Sequence, residues 1–218
     1  MNMYESFVTF FQSGGIFMIP IVFVLAIGLA IAIERYIYLS STRIKNQIAW
    51  KKIQTVLASG NMNEAMNFAE KSKCAISRIM GYGIASAQTS RRRDDIETAM
   101  EEGLMEVVPK LEKRTHYLAT FANVATLLGL LGTIIGLIDA FTAISAASPA
   151  EKADLLSSSI SVAMNTTAFG LMVGIPLLLL HSWLQTKTTE IVDSLEMASV
   201  KVLNTIAVSA RKQAQAEA

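Results

Sequence analysis

The sequence predicts an all-α membrane protein in which three transmembrane helices continue into long helical cytoplasmic extensions. Charged residues make up only 17% of the 218 residues and hydrophobic residues make up 52%, while the mean hydropathy is +0.41. This composition is more apolar than that of an ordinary soluble domain. Three long segments are almost free of charge, and between them apolar residues recur at the spacing of one helix face.

Three uncharged segments are long enough to cross a bilayer, because a helix needs about 20 apolar residues for roughly 30 Å of hydrocarbon. They are residues 6–33, 118–138 and 155–186. The third has 32 residues, and as a helix it would be about 48 Å long, so it must extend beyond the hydrocarbon. A cleaved signal peptide is not expected, since no Lys or Arg precedes Ile16, where the most apolar part begins.

The distribution of Lys and Arg predicts the orientation. Residues 35–114 hold 14 basic residues and the tail after Thr186 holds 4, whereas the segments on the opposite side hold only Lys152. Cytoplasmic loops of membrane proteins carry the excess of Lys and Arg. The N-terminus is therefore predicted outside, and the region between the first two spans and the C-terminal tail are predicted in the cytoplasm.

The cytoplasmic region and the tail each show one apolar helix face. These faces consist of Ile96, Met100, Leu104, Val107 and Leu111, and of Ile191, Leu195, Ala198, Val202 and Ile206. The first face continues toward the second span, so one long helix is expected there, with a kink where Pro109 cannot donate a backbone hydrogen bond. Neighbouring copies of the chain are the favoured partners for both faces, and packing within one chain is the alternative.

Small residues recur every three or four positions in the second and third spans. Those predicted to pack helices are Gly129, Gly132, Gly136, Gly170 and Gly174. Small side chains let membrane helices approach closely, where hydrophobicity offers no driving force between them. Plain helix packing is the favoured interpretation of these glycines, and a central space lined by helices from several subunits is the alternative.

Polar side chains deep in the same two spans form a candidate ion pathway, which consists of Thr126, Thr133, Asn165, Thr166 and Thr167. Thr126 and Thr133 are seven residues apart, so they face nearly the same way. Together these groups would offer hydrogen bonds to a hydrated ion or a proton-carrying group without fixing a charge. Each threonine alone indicates little, because a hydroxyl in hydrocarbon also bonds a carbonyl one turn back.

Asp139 is the only ionisable residue well inside a predicted span, and such residues are functional candidates by default. It lies six residues beyond Thr133, or about 9 Å further toward the outside. That depth is close to the interface, so a solvated or helix-capping acid is the alternative. Asp139 is therefore treated as a secondary acid of the ion pathway.

Charge and the short list of reactive side chains argue against several classes of function. Lys and Arg number 19 against 18 Asp and Glu, which leaves no net field to attract nucleic acid. The single cysteine, Cys74, and two separated histidines, His116 and His181, give neither a metal site nor a disulfide framework. The sequence shows no nucleotide-binding loop, Ser/His/Asp set or carboxylate pair. Neither enzymatic activity nor a bound cofactor is expected.

Several motifs resemble the ExbB/TolQ/MotA ion-channel family. They are Gly-Gly-Ile-Phe-Met-Ile-Pro at 14–20, Glu34-Arg35, residues 118–138 of the second span, Ala163-x-x-x-Thr167-x-x-Gly170, and Gly174-Ile175-Pro176. The resemblance covers nearly the whole chain, and the second-span motif is its most specific part. Three spans with an external N-terminus and a large first cytoplasmic loop are similar to the ExbB/TolQ branch, since the flagellar stator branch has four spans.

The resemblance implies a homo-pentamer that encloses the single transmembrane helices of two copies of an ExbD/TolR-like partner. That partner supplies the Asp that takes up the ion, which is H+ with Na+ as the alternative, and Thr133 and Thr167 match the family's pore-facing threonines. Ion flow would drive mechanical work on periplasmic or outer-membrane machinery through a TonB-like or TolA-like protein. TonB-dependent transport is the favoured process. A TolQ-like envelope-constriction motor, a motility motor and a non-conducting membrane scaffold are the alternatives.

The resemblance also implies a location in the bacterial inner membrane, in contact with its lipids. The predicted segments are a periplasmic N-terminus (1–15), a first transmembrane helix (16–39), a helical cytoplasmic domain (40–117), a second transmembrane helix (118–146), a periplasmic loop (147–159), a third transmembrane helix (160–186) and a cytoplasmic helical tail (187–218).

One position departs from the family's pattern. Proton-driven ExbB and TolQ proteins usually carry a Glu early in the third span, where this chain has Val162. Three explanations stay open: the acid is dispensable, the coupling ion differs, or Asp139 has taken over part of its role.

Overall fold

The computed structural model describes residues 8, 10–11, 14–58, 62–90 and 92–216. Its helices are α1 (Met18–Ala58), α2 (Met62–Lys71), α3 (Ala75–Thr89), α4 (Arg93–Glu112), α5 (Thr115–Ala146) and α6 (Lys152–Ala216). No strand occurs within these described ranges, so the prediction of an all-α protein is confirmed. Most of the predicted N-terminal segment, 1–15, lies outside them.

Three helical stretches are long and apolar enough to cross a membrane, namely Met18–Val56, Arg93–Ser145 and Lys152–Ile206. The middle stretch comprises α4 and α5, and its uncharged part lies in α5. The prediction of three membrane-spanning helices is therefore confirmed.

The chain forms two compact units. The first unit consists of Met1–Glu34 and Arg114–Leu184, and the second consists of Arg35–Lys113 and Gln185–Ala218. The first unit contains the more apolar parts of α1 and α6 together with α5. The second contains α2, α3, α4 and the charged parts of α1 and α6.

In the first unit, α1, α5 and α6 share a small apolar core. Ile21 from α1, Leu118 from α5 and Leu177 from α6 are fully buried. Gly28 lets α1 approach α6, because a Cβ added there would lie 2.7 Å from the Leu177 Cδ2 atom. Other large side chains, such as Leu179, remain exposed on the unit's surface, as expected for helices whose outer faces meet lipid or other chains.

In the second unit, α3 packs along α4. Ile79 and Met80 of α3 and Met100 of α4 are buried between them. Gly83 lies against the Met100 side chain, where a Cβ would come within 2.6 Å of the Met100 Cγ atom. The N-terminal end of α4 also suits the helix dipole, since Asp94 and Asp95 lie in its first turn.

The apolar faces predicted in α4 and in the tail are buried within a single chain. The buried residues are Ile96, Met100, Val107, Leu111, Ile191, Leu195, Ala198, Val202 and Ile206, and Leu104 is half-buried. The expectation that neighbouring copies cover these faces is therefore corrected. The alternative, packing within one chain, accounts for both patterns.

The expectation of one long helix through Pro109 into the second span is wrong. Pro109 lies inside α4, which ends at Glu112, and α5 begins at Thr115. Arg114 has a φ of 68°, in the left-handed region that right-handed helices do not include. The interruption therefore lies at this residue, and the apolar periodicity alone did not reveal it.

Candidate functional site

The backbones of α5 and α6 approach each other closely at Gly129 and Gly170. A Cβ added to Gly170 would lie 2.7 Å from the Ala125 carbonyl oxygen and 3.0 Å from the Gly129 Cα atom. Because these neighbours are backbone atoms, no side-chain rotation could make room for a larger residue. Glycine at these two positions permits helix contact of the kind that small residues allow in membranes.

The other glycines singled out from the sequence also face the opposite helix. Cβ atoms added to them would meet the Thr166 methyl group at Gly132, the Ala163 Cβ atom at Gly136, and the Thr126 hydroxyl oxygen at Gly174. The pair of helices is thus in contact along several turns.

Thr133 and Thr167 come together at this helix pair. The Thr167 hydroxyl donates to the Gly129 carbonyl oxygen across the interface at 2.8 Å, and its oxygen lies 3.4 Å from the Thr133 hydroxyl oxygen. The Thr133 hydroxyl donates to the Leu130 carbonyl oxygen at 2.6 Å. Both side chains are half-buried. Since each hydroxyl proton is held by a carbonyl, the lone pairs of both oxygens can accept from a proton donor or contact a cation.

Thr126 lies two turns before Thr133 on α5. Its hydroxyl donates to the Ala122 carbonyl oxygen at 3.1 Å, and its side chain, which is half-buried, lies against Gly174. Thr126 therefore shares the α5–α6 contact with the threonine pair, but its hydrogen bond stays within its own helix.

Thr166 has different hydrogen-bond partners from those of the threonine pair. Thr166 is only 2% exposed, and its hydroxyl is shared between the carbonyl oxygens of Gly14 and Val162, the latter at 2.9 Å. Carbonyl oxygens of its own chain thus surround the Thr166 hydroxyl, and its place in the ion pathway stays a prediction. Asn165, one position earlier, is half-buried.

Asp139, the possible secondary acid, and Val162, the position that differs from the family's pattern, lie apart from the threonine pair. Asp139 is exposed on α5, six residues beyond Thr133 and so outside the threonine pair. Val162 is half-buried, and a Cβ added to Gly15 would lie 3.2 Å from its Cγ1 atom. Val162 therefore packs against the segment that precedes α1.

Arg35 is a buried residue to which the sequence assigned no role beyond the Glu34-Arg35 motif. It is 2% exposed, its guanidinium donates to the carbonyl oxygen of Leu111, and the same group lies 4.6 Å from the centre of the Tyr38 ring. The last carbonyls of a helix lack partners within the helix and carry partial negative charge. Arg35 thus caps the C-terminal end of α4. The Glu34-Arg35 pair at the end of the uncharged run was the available signal.

Two glutamates outside the uncharged segments have perturbed acidity. A hydrogen bond from Lys110, and then the positive charge of Arg78, lower the pKa of Glu106 despite an opposing effect of desolvation. A hydrogen bond from Lys187, with a smaller contribution from Arg43, lowers the pKa of Glu190. Both carboxyl groups are therefore ionised at neutral pH.

The hydroxyl oxygens of Thr133 and Thr167 can accept a hydrogen bond from a proton donor or contact a cation, but they carry no charge. Within the described residues, no group of three His, Cys, Asp or Glu could hold a metal ion. The threonine pair offers oxygen atoms in a helix interface where an ionised side chain would be costly.

Comparison with known proteins identifies the family. Residues 71–197 match the model of the MotA/TolQ/ExbB proton channel family, which is more than half of the chain and includes both Thr133 and Thr167. The chain is also 27% identical over 198 residues to a homolog of the biopolymer transport protein ExbB from Methanothermobacter thermautotrophicus, across 90% of this chain and 69% of the relative. This multi-pass membrane protein therefore belongs to the MotA/TolQ/ExbB proton channel family.

Proposed function

We propose that this chain is the channel subunit of a stator that converts the proton motive force, or alternatively a sodium gradient, into mechanical work on periplasmic or outer-membrane machinery. Membership in a proton channel family supports this role. The favoured process is TonB-dependent transport, since the relative is named for biopolymer transport and ExbB. A TolQ-like constriction motor and a motility motor are the alternatives within the family.

The threonine pair is the observation that carries the proposal. Two hydroxyl oxygens 3.4 Å apart on two closely packed helices give a polar point with no fixed charge. A protonated carboxyl group on a partner helix would donate a hydrogen bond to one of these oxygens, whereas an ionised carboxylate could accept from a threonine hydroxyl only after that hydroxyl releases its carbonyl partner. One charge that moves through 100 mV yields about 2.3 kcal/mol, so each ion could drive a small rearrangement of the complex.

The proposed complex contains five copies of this chain around two copies of an ExbD/TolR-like single-span protein, which supplies the Asp. A surface feature supports contact between copies. The second unit has an apolar groove of about 550 Å3 whose lining includes Met105, Val108 and Val200, and Met105 is 73% exposed. Exposed apolar patches of this kind often mark contact with another chain.

The proposed location is the bacterial inner membrane, with the N-terminus in the periplasm and the C-terminus in the cytoplasm. The uneven distribution of Lys and Arg supports this orientation. The predicted spans 16–39, 118–146 and 160–186 remain the proposed boundaries of the bilayer-crossing segments. A TonB-like or TolA-like protein would then receive force on the periplasmic side.

Native mass spectrometry of the protein purified from its own membranes in mild detergent tests this proposal. We expect five copies of this chain with two copies of a single-span protein that bears one intramembrane Asp. A monomer, or a homo-oligomer without an acidic single-span partner, would overturn the stator. Proton flux in liposomes that contain the purified complex separates a channel from a non-conducting scaffold, because a scaffold gives no flux with or without the partner.

A further inference from the structure

A small cavity in the second unit is lined by four cationic side chains. Its volume is about 190 Å3, and Lys45, Lys73, Arg78 and Lys110 are in its wall. No acidic residue occurs among the described residues that line it. These four cations come from α1, from the segment before α3, from α3 itself and from α4, so the cavity joins three helices.

The N-terminal end of α3 opens into the same cavity. Cys74 and Ala75 are part of the wall, and α3 begins at Ala75 and runs for 15 residues. Cys74 makes no side-chain hydrogen bond that caps the described backbone of α3. Free N–H groups and the positive end of the helix dipole attract anions at such a position.

A buried amide of the wall lacks a partner for its donor. Asn46 lines the cavity and is only 5% exposed. Its Oδ1 atom accepts a hydrogen bond from the Ile76 backbone N–H at 3.3 Å, whereas its Nδ2 atom has no partner among the described residues. A buried donor without an acceptor is destabilising, and an oxygen of a bound anion would satisfy it.

One carboxylate next to the cavity balances part of the charge. Glu106 lies 2.9 Å from Arg78 and 2.9 Å from Lys110 in ion pairs. It is ionised at neutral pH, because the hydrogen bond from Lys110 lowers its pKa. A single carboxylate against four cations leaves an excess of positive charge at the cavity.

We propose that this cavity binds a phosphate-type anion. The Asn46 amide and the N-terminal N–H groups of α3 donate hydrogen bonds to its oxygens, and the four cations compensate its charge. The bound anion links α1, α3 and α4 and so stiffens the second unit. This inference is independent of the stator proposal, since it concerns the second unit of a single chain.

The phosphate group can come from a soluble phosphate compound or from the headgroup of an anionic lipid. Lys45 lies six residues beyond Leu39, the proposed end of the first span, which is about 9 Å along the helix. The headgroup layer extends about 5–8 Å beyond the hydrocarbon on each side, so this distance favours neither source. The thermal unfolding experiment distinguishes the two.

The test is a thermal unfolding titration of the full chain in an uncharged detergent with inorganic phosphate, at constant ionic strength. We expect Tm to rise with phosphate concentration and to saturate. Asn46→Asp keeps the acceptor for the Ile76 N–H but replaces the donor by a negative charge. It should weaken phosphate binding more than about tenfold, because charge-assisted hydrogen bonds contribute at least that factor. Glu106→Gln should tighten binding, since it removes the balancing charge.

Lys51→Gln serves as the matched control, because Lys51 is exposed on α1 outside the cavity wall, and it should leave phosphate binding unchanged. A parallel titration uses nanodiscs of phosphatidylcholine with and without phosphatidylglycerol. Stabilisation by phosphatidylglycerol that Asn46→Asp abolishes, without a response to inorganic phosphate, would assign the site to lipid headgroups. No response of Tm to either probe, or the same response in wild type and Asn46→Asp, would overturn the anion site.

Discussion

The Thr167 hydroxyl on α6 donates to the Gly129 carbonyl oxygen on α5 at 2.8 Å. Other threonines of α5 satisfy themselves within their own helix, as Thr142 does with the Ile138 carbonyl oxygen at 2.9 Å. Thr167 instead ties two helices together, and it does so where its oxygen comes within 3.4 Å of the Thr133 hydroxyl oxygen. This hydrogen bond between helices fixes the position of the Thr167 hydroxyl. Thr167 is therefore the residue at which a role in ion conduction can be distinguished experimentally from a role in helix packing.

Replacement of Thr167 by valine should abolish ion-driven function and leave assembly intact. Valine has the shape of threonine but no hydroxyl, and one hydrogen bond between membrane helices contributes only about 0.6 kcal/mol on average. The measurement is proton flux in liposomes that contain the complex, with copy number checked by native mass spectrometry. Thr167→Ser, which restores the hydroxyl, should recover most of the flux.

Thr142→Val is the control for this prediction, because it removes an exposed hydroxyl from the same helix pair without touching the threonine pair. It should conduct like the wild type. Unchanged flux in Thr167→Val would remove Thr167 from the pathway.

Gly170→Ala should destabilise the first unit by about 1–3 kcal/mol, the usual cost of overpacking a close contact. The added Cβ would lie 2.7 Å from the Ala125 carbonyl oxygen and 3.0 Å from the Gly129 Cα atom, so the two helices would have to separate. Thermal unfolding in detergent measures the change.

The matched control is Gly81→Ala in α3. Among the described residues, a Cβ added there has only the Ala69 Cβ atom within 4 Å, at 3.8 Å. Alanine in a helix interior is more favourable than glycine by about 0.5–1 kcal/mol. Gly81→Ala should therefore raise the unfolding temperature. Equal effects of the two substitutions would contradict the close approach at Gly170.

Charge and periodicity predicted the helices of this protein, because both depend on many residues at once. One residue that departs from the pattern does not change the three uncharged segments or the buried face of α4, which includes Met100 and Val107. The interruption at Arg114 depends on the φ angle of a single residue that is neither Gly nor Asn. An arginine does not indicate a left-handed backbone conformation, so the sequence predicted a continuous helix.

The candidate site was predictable as a set of residues but not as a geometry. Thr166 and Thr167 are adjacent and identical in chemistry, yet they point about 100° apart on a helix. One contacts the Gly14 backbone and the other contacts Gly129. Which of two neighbouring threonines meets which helix is decided by tertiary packing, and no periodicity in the sequence encodes it.

Arg35→Met should destabilise the second unit by about 2–3 kcal/mol. The substitution removes a charged donor from the Leu111 carbonyl at the end of α4, and buried hydrogen bonds to charged groups contribute about 1.5–3 kcal/mol. It also removes the contact of the guanidinium with the Tyr38 ring. Chemical unfolding followed by circular dichroism gives the difference in unfolding free energy.

Arg43→Met on the same helix is the comparison. Arg43 pairs with Glu190 at 3.5 Å on the exposed surface, and such pairs contribute only about 0.2–1 kcal/mol. A loss for Arg43→Met as large as that for Arg35→Met would argue against a capping role of Arg35.

The ion pairs of Glu106 predict a pH dependence of stability on the acid side. The Lys110 hydrogen bond and the Arg78 charge hold the pKa of Glu106 in the folded chain below its ordinary value of 4.5. A carboxyl with a lowered folded pKa stabilises the fold above its ordinary pKa, and that contribution is lost as the pH falls through the lowered pKa. The Tm of Glu106→Gln should therefore lie below that of the wild type at neutral pH, and the two values should converge as the pH falls through the lowered pKa of Glu106. Glu102→Gln, which removes an exposed carboxyl of the same helix, should follow the wild type across this range. A constant difference between wild type and Glu106→Gln from neutral to acid pH would mean that packing of the side chain, rather than its charge, stabilises α4.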